Sequence, residues 1–216
     1  MRDRQFDRPG GPTNLSELLA LPGVREDVVL RSRFGFMAIH GGDLELATDA
    51  IAVTAAEQAG ASYYGVVHPV GLDRHLASSR YDRDGSPALG SFLDHVDAVV
   101  SIHGYGREGL WTSLLLGGGN RRLADMLAAE LSDRLPGYDM VTDVDEIPVA
   151  LRGTSASNPV NVPPSGGVQL ELPPRVRGHS PFSPPPGPDG FSPPTRALID
   201  GLAAAAAMWL ARDSAA

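Results

Sequence analysis

Short apolar runs alternate with amphipathic segments along most of the chain. Apolar runs of about four to eight residues between turn-forming residues indicate buried strands, and apolar positions three and four apart indicate helices. We predict strands at residues 27–33, 36–39, 62–67, 97–104, 111–116, 140–142, 147–151 and 168–172. Predicted helices cover residues 14–21, 48–59, 88–96, 121–135 and 195–212. This alternation predicts one α/β domain over residues 1–216, with a mixed, mostly parallel sheet flanked by helices.

Glycine and proline set the predicted boundaries. Gly35 is expected to form a turn between the first two strands, and Gly60 to cap the helix over residues 48–59. Residues 68–87 are polar and irregular, which is typical of a surface loop. Nine prolines among residues 173–194 forbid regular structure, so we expect an irregular loop or flap close to Glu171, over or beside any cleft there and more mobile than the sheet.

Composition narrows the function classes. Of the 216 residues, 42% are hydrophobic and 20% charged, as in globular proteins. A net charge of -8 argues against a nucleic-acid binder or a membrane-surface protein. The polar N-terminus has no apolar signal region, so we expect a cytoplasmic protein, with a processed secreted form left open. We also expect a monomer.

Two residue types are missing from the chain, and each absence limits the chemistry. Without cysteine, a transition metal has to be held by His, Asp or Glu. All 18 basic residues are arginine, so a Schiff-base lysine or a P-loop lysine is excluded.

Two predicted strands end in a histidine followed by glycine, at His40 and at His103. After His40, two glycines let the backbone turn sharply and aim Glu45 back at the histidine. Either histidine alone is as well explained as a buried structural residue. If the two strands are neighbours, however, His40, Glu45 and His103 form the two-histidine, one-carboxylate set of hydrolytic zinc sites, which keep a fourth position for water.

Three further segments are weaker candidates. His75 and Arg80 lie in the polar loop 68–87, where they suit an anionic ligand or are simply solvated. The Gly-rich turn at residues 117–120 precedes a predicted helix, whose N-terminus can bind a carboxylate or phosphate. Glu171 lies between leucines in the strand 168–172, either facing solvent or acting as a base with a tuned pKa.

Several of these pieces, taken in order over residues 36–177, resemble the phage type of poly-γ-glutamate hydrolase. The matching pieces are His40-Gly41-Gly42 with Glu45 and Thr48, His75 with Ser78, Ser101-Ile102-His103-Gly104-Tyr105, Leu116-Gly117-Gly118 with Asn120, Asn158-Pro159 with Asn161, and Gly167-Val168-Gln169-Leu170-Glu171-Leu172. This sequence departs from the family pattern at Ile39 (usually proline), at Ala77 (usually threonine) and at Pro173-Pro174. These departures leave the metal and base positions intact and bear on the substrate.

The resemblance implies a zinc-carboxypeptidase-like fold with one Zn2+ ion held by His40, Glu45 and His103. It implies that Glu171 is the general base, and that His75 and Asn120 have roles in the substrate cleft. The expected activity is a zinc-dependent amidohydrolase that cleaves γ-glutamyl bonds in a small or oligomeric acidic peptide.

A cation near the metal would stabilise the oxyanion of such a reaction. We predict Arg80 for this role, with Arg121 and Arg177 as alternatives, although each of the three is also explained as a plain surface residue. The other histidines are interpreted as structural or solvated: His68, His95 and His179. The negative net charge favours short γ-glutamyl chains or a locally Arg-lined cleft. The alternatives are a carboxypeptidase-like hydrolase of another small peptidyl or N-acyl substrate, and a metal-holding binding module without turnover, which the presence of Glu171 disfavours.

Overall fold

A computed structural model of the protein describes residues 11–213. The strands are β1 (Arg25–Val29), β2 (Phe34–Gly42), β3 (Ser62–His68), β4 (Ala98–Gly104), β5 (Ser113–Leu116), β6 (Asp139–Val141) and β7 (Gly167–Leu172). The helices are α1 (Leu15–Leu19), α2 (Thr48–Ala59), α3 (Pro87–His95), α4 (Arg121–Arg134) and α5 (Pro193–Asp213).

All seven strands form one sheet in the order β1-β3-β2-β4-β7-β5-β6. The four central strands, β3, β2, β4 and β7, are parallel to one another. Strand β1 pairs antiparallel with β3, and β5 pairs antiparallel with β7. The predicted α/β class with a mixed, mostly parallel sheet is therefore confirmed.

Helices cover both faces of the sheet, as the long buried strands require. On one face, α2, α4 and α5 pack on alternate strand residues such as Val100 and Leu170. On the other face, α1 and α3 pack on residues such as Met37 and Val99. Side chains alternate along a strand, so the residues beside Leu170 face the second side, where the helices leave a cleft.

Two local predictions are wrong. Gly35 does not form a turn but lies within β2, where a Cβ atom would stand 2.5 Å from the ring of Phe92 in α3. The glycine therefore serves close packing of the helix on the sheet. Residues 147–151 do not form a strand: Pro148 precedes a 3-10 turn, and Ile147 and Leu151 are buried against a small cluster instead.

The Pro-rich segment is irregular over residues 173–192, as predicted. Helix α5 begins earlier than expected, at Pro193, because proline is tolerated in the first turn of a helix, where its missing N–H is not needed. Within residues 11–213, no helix combines the length and apolarity that crossing a membrane requires.

Candidate active site and metal centre

A cleft of about 1390 Å³ opens at the carboxyl ends of β2, β4 and β7. Ligand sites in α/β proteins occupy this end of the sheet because the connecting loops gather there. Seven predicted site residues line the cleft: His40, Glu45, His75, Arg80, His103, Glu171 and Arg177.

The turn after His40 brings Glu45 back to the strand end, as the two glycines predicted. The Glu45 amide donates to the His40 carbonyl oxygen at 2.9 Å. Gly42 has φ +71°, and a Cβ atom there would lie 2.2 Å from the His68 carbonyl oxygen. Only glycine fits this position, so the turn depends on it.

Glu45 bridges the two predicted histidine ligands. One carboxylate oxygen lies 2.9 Å from His40 Nδ1, and the other lies 3.4 Å from His103 Nδ1. Burial alone would raise the pKa of Glu45, but the two histidines outweigh it and hold that pKa well below its usual range. Burial would lower the pKa of His103, but Glu45 raises it overall.

His75 is a closer member of this cluster than the sequence predicted. Its ring centroid lies 4.4 Å from that of His40. Among residues 11–213, one group of three potential metal-ligand atoms within 4.8 Å of one another is found, and it consists of His40, Glu45 and His75. Burial lowers the pKa of His75 to about 3, so the imidazole is neutral at pH 7, as metal binding requires.

Glu171 lies beside this cluster on β7, opposite His103 in the register of the sheet. Its side chain is buried and accepts a hydrogen bond of 2.9 Å from the Gln169 side-chain amide. Burial raises the pKa of Glu171 to about 7, Glu45 adds to the rise, and His103 opposes it. A carboxylate with a pKa near 7 has the basicity that a general base needs at neutral pH.

The family model for poly-gamma-glutamate hydrolase matches residues 16–181, most of the chain. The chain belongs to the poly-gamma-glutamate hydrolase family. Among curated proteins, none matches the sequence.

Solved structures agree with this family assignment at the level of the fold. The bacteriophage poly-gamma-glutamate hydrolase is 22% identical, with 90% of this chain and 94% of that chain covered and a TM-score of 0.73. Zinc-free, apo YNDL is 22% identical over 71% of this chain and 73% of that one, with a TM-score of 0.60.

The structure separates the polar residues predicted to bind substrate into two groups. Arg80 and Arg177 line the cleft of this poly-gamma-glutamate hydrolase family member. Arg80 is exposed and donates to the Thr13 carbonyl oxygen at 3.3 Å. Arg177 is buried, and burial lowers its pKa although Glu45 and Glu171 oppose the fall.

Asn120 and Arg121 are not brought to the cleft. The Asn120 side chain caps α4 by accepting from the Leu123 amide at 2.9 Å. The Arg121 guanidinium donates to the carbonyl oxygens of Leu116 and Gly118. Both polar groups are thus satisfied locally at the start of α4, and their predicted part in substrate binding stays a prediction.

Several polar residues of the cleft were not predicted as site residues from the sequence. Arg74 and Arg107 line it, each partly buried. Gln169 lines it as well, held by a bond of 2.8 Å from the Asn158 side-chain amide. A signal existed for two of them, because Arg74 adjoins His75 and Gln169 lies two positions before Glu171, on the same face of the strand.

Proposed function

We propose that this chain is a zinc-dependent hydrolase of γ-glutamyl amide bonds, with Glu171 as its general base. One observation carries the proposal: a buried carboxylate with a raised pKa lies in the same cleft as a cluster of histidines and a second, ionised carboxylate. Environments that push the pKa values of two neighbouring carboxyl groups apart are typical of sites that need both a base and a permanent anion.

The donor set suits zinc, which prefers histidine nitrogen and carboxylate oxygen when thiolates are absent. His40 Nε2 lies 2.9 Å from the Leu76 carbonyl oxygen, which can only accept, so this nitrogen carries a proton. His103 Nε2 lies 3.0 Å from Ser101 Oγ. Such partners on the outer nitrogen orient imidazole ligands and leave the other nitrogen for the metal.

His40, Glu45 and His103 would hold the zinc ion, because both histidines direct Nδ1 towards the same carboxylate. When bound, zinc lowers the pKa of a water molecule towards ~7 and polarises a carbonyl group. We assign His75 to the substrate side of the site, where its neutral ring packs on His40. Because His75 belongs to the group of three potential ligand atoms with His40 and Glu45, it competes with His103 as the third ligand.

Glu171 accepts a proton from the attacking water and later donates it to the leaving amine nitrogen. Gln169 holds the carboxylate in place through its bond to Oε1. The Tyr105 hydroxyl group hydrogen-bonds to the Leu110 and Ser113 carbonyl oxygens, and Tyr105 lines the cleft together with Gln169 and Glu171.

A γ-linked glutamate chain carries a free carboxylate beside every amide bond, so its recognition calls for cations in the cleft. Arg74, Arg80 and Arg107 line the cleft, and no ion pair of these three side chains is found within residues 11–213. They supply local positive charge in a chain whose net charge is -8. The substrate we propose is therefore a short acidic peptide bound by a monomer, with no nucleic-acid or membrane partner.

The test measures zinc content and cleavage of matched γ-linked and α-linked glutamyl oligomers. We expect about one zinc per chain and preferential γ-cleavage. His103→Ala should lose the metal, whereas His75→Ala should keep it and lose turnover. His95→Ala is the matched control, because His95 lies outside the cleft lining and its Nε2 lies 3.1 Å from the Arg31 carbonyl oxygen.

Other results of these measurements would change the ligand assignment or support one of the alternative functions. Loss of zinc in His75→Ala but not in His103→Ala would make His75 the third ligand. Cleavage of α-linked or N-acyl substrates alone would identify a carboxypeptidase-like hydrolase of another substrate. Bound zinc without hydrolysis of any amide would leave a binding module.

A further inference from the structure

Three backbone carbonyl groups converge on one buried guanidinium at the inner wall of the cleft. Arg177 is 8% exposed. Its Nη1 donates to the Leu46 oxygen at 2.7 Å, its Nε to the Leu172 oxygen at 3.1 Å, and its Nη2 to the Tyr105 oxygen at 3.3 Å. A guanidinium has five N–H groups in a rigid plane, so these bonds fix its position firmly.

The three acceptors belong to the three segments that carry the proposed zinc ligands and base. Each carbonyl lies one or two residues after such a side chain: Leu46 follows Glu45, Leu172 follows Glu171, and Tyr105 lies two residues after His103. In sequence these segments are far apart, and Arg177 is a side chain that hydrogen-bonds to all three.

The backbone leaves space for this guanidinium at Gly104. A Cβ atom at Gly104 would stand 2.7 Å from Arg177 Cζ and 2.8 Å from Nη1. The Gly104 amide donates to Glu45 Oε2 at 2.9 Å. The guanidinium therefore packs directly on the peptide that also holds the metal-binding carboxylate.

The arginine itself projects from an anchored turn. The His179 amide donates to the Pro174 carbonyl oxygen at 2.9 Å and closes the turn. Thr195 Oγ1, on α5, donates to the Val176 carbonyl oxygen at 2.8 Å, and Val176 is fully buried. The turn that carries Arg177 is therefore anchored to the hydrophobic core and to α5.

From this geometry we infer that Arg177 is a positioning residue, which fixes the segments of Glu45, His103 and Glu171 relative to one another, and not a ligand of the substrate. Lysine cannot replace it, because an ammonium group is a compact charge that does not match three carbonyls around a planar fork. The inference rests on the proposed function for its kinetic and zinc readouts, and on the fold alone for its hydrogen-exchange readout.

The first experiment measures zinc affinity by competition with a chelator. Arg177→Lys should bind zinc about 10 to 100-fold more weakly than wild type, the usual effect of losing groups that orient metal ligands. Gly104→Ala should weaken binding in the same direction, because its methyl group displaces the guanidinium. Arg83→Lys makes the same change at an arginine that pairs with Asp94 outside the cleft lining, so it is the matched control and should bind zinc normally. Unchanged affinity in Arg177→Lys would overturn the inference.

The second experiment needs neither zinc nor substrate. In the metal-free protein, the amides of Gly104 and Tyr105 should exchange hydrogen faster in Arg177→Lys than in wild type, with exchange in the centre of β2 unchanged. Equal exchange rates of these two amides in Arg177→Lys and wild type would overturn the positioning role of Arg177. If wild type binds no zinc, the proposed function fails while this measurement still decides the role of Arg177.

Steady-state kinetics separate positioning from substrate binding. A positioning role predicts a lower kcat with little change in KM, and partial recovery of the Arg177→Ala variant by added guanidinium ion. A raised KM with normal kcat and normal zinc affinity would instead make Arg177 a ligand for a substrate carboxylate, contrary to the inference.

Discussion

Replacing Glu171 by glutamine should abolish turnover and at the same time stabilise the metal-free protein. Glutamine keeps the shape of the side chain and can still accept the bond from Gln169. It cannot take a proton from water, and general-base catalysis typically contributes about 10² to 10⁴ in rate, so kcat should fall by at least that factor. KM should change little, because the lost interaction belongs to the transition state.

The gain in stability follows from the raised pKa. Burial moves the pKa of Glu171 from 4.5 to about 7. At about 1.4 kcal/mol for each tenfold change, this difference corresponds to about 3 kcal/mol. Because the folded-state pKa lies above the unfolded-state value, the favourable contribution is complete below pH 4.5 and is lost as the pH rises through about 7.

Chemical denaturation of the metal-free proteins between pH 4 and pH 8 is the assay. The unfolding free energy of wild type should fall across this range relative to that of Glu171→Gln, so that the variant is the more stable protein at pH 8. Glu146→Gln makes the same chemical change at an exposed site outside the cleft and should follow wild type. A constant difference between Glu171→Gln and wild type at all pH values would refute the argument from burial, and unchanged turnover would remove Glu171 from the chemistry.

Three further substitutions have defined outcomes. Gly153→Ala should lower kcat and destabilise the fold, because Gly153 has φ +62° and a Cβ atom would lie 2.6 Å from the Gln169 side chain; activity and melting temperature equal to wild type would contradict this. Ala47→Gly should stabilise by up to about 1 kcal/mol in a denaturant titration, because Ala47 has φ 71°, where glycine has no steric cost. Asp97→Asn should be less stable than wild type at neutral pH, because the hydrogen-bonded Arg33 lowers the pKa of Asp97. That difference should disappear as the pH falls below the ordinary Asp value of 3.8, and a difference that persists in acid would exclude the ion pair as its cause.

Local patterns accounted for the strand ends and for the approach of Glu45 to His40. A buried strand, two glycines and the start of a helix lie within about a dozen residues, so few backbone conformations are open to the chain there. The pairing of β2 with β4, whose strands end at His40 and His103, could be stated only as a condition, and the pairing of His103 with Glu171 was not predicted, since strand order is decided by long-range packing.

Other features depend on contacts that a pattern does not contain. The apolar residues of the segment 147–151 are buried against Tyr105 and Leu115. This burial gives an irregular segment the same apolar pattern as a buried strand. Asn120 follows a Gly-rich turn at a helix N-terminus, a pattern typical of anion sites, but its side chain caps α4 by accepting from the Leu123 amide. Arg177 lies in a segment where proline predicts irregular structure, and nothing local indicates that its side chain reaches inward.

The anchored turn before His179 also divides the Pro-rich segment into two parts with different tolerance to change. Residues 174–179 include three that line the cleft, whereas none of residues 180–192 does. For a flexible loop whose ends are fixed, each doubling of length costs only about 0.6 kcal/mol of closure entropy. Residues 184–190 are exposed and follow Ser183, whose Oγ donates to the Arg175 carbonyl oxygen of the turn at 3.1 Å. A peptide tag or a whole added domain inserted there would lengthen the loop while the turn and α5 keep their contact through Thr195. The fold thus provides an attachment point next to the anchored turn that uses no residue of the cleft lining.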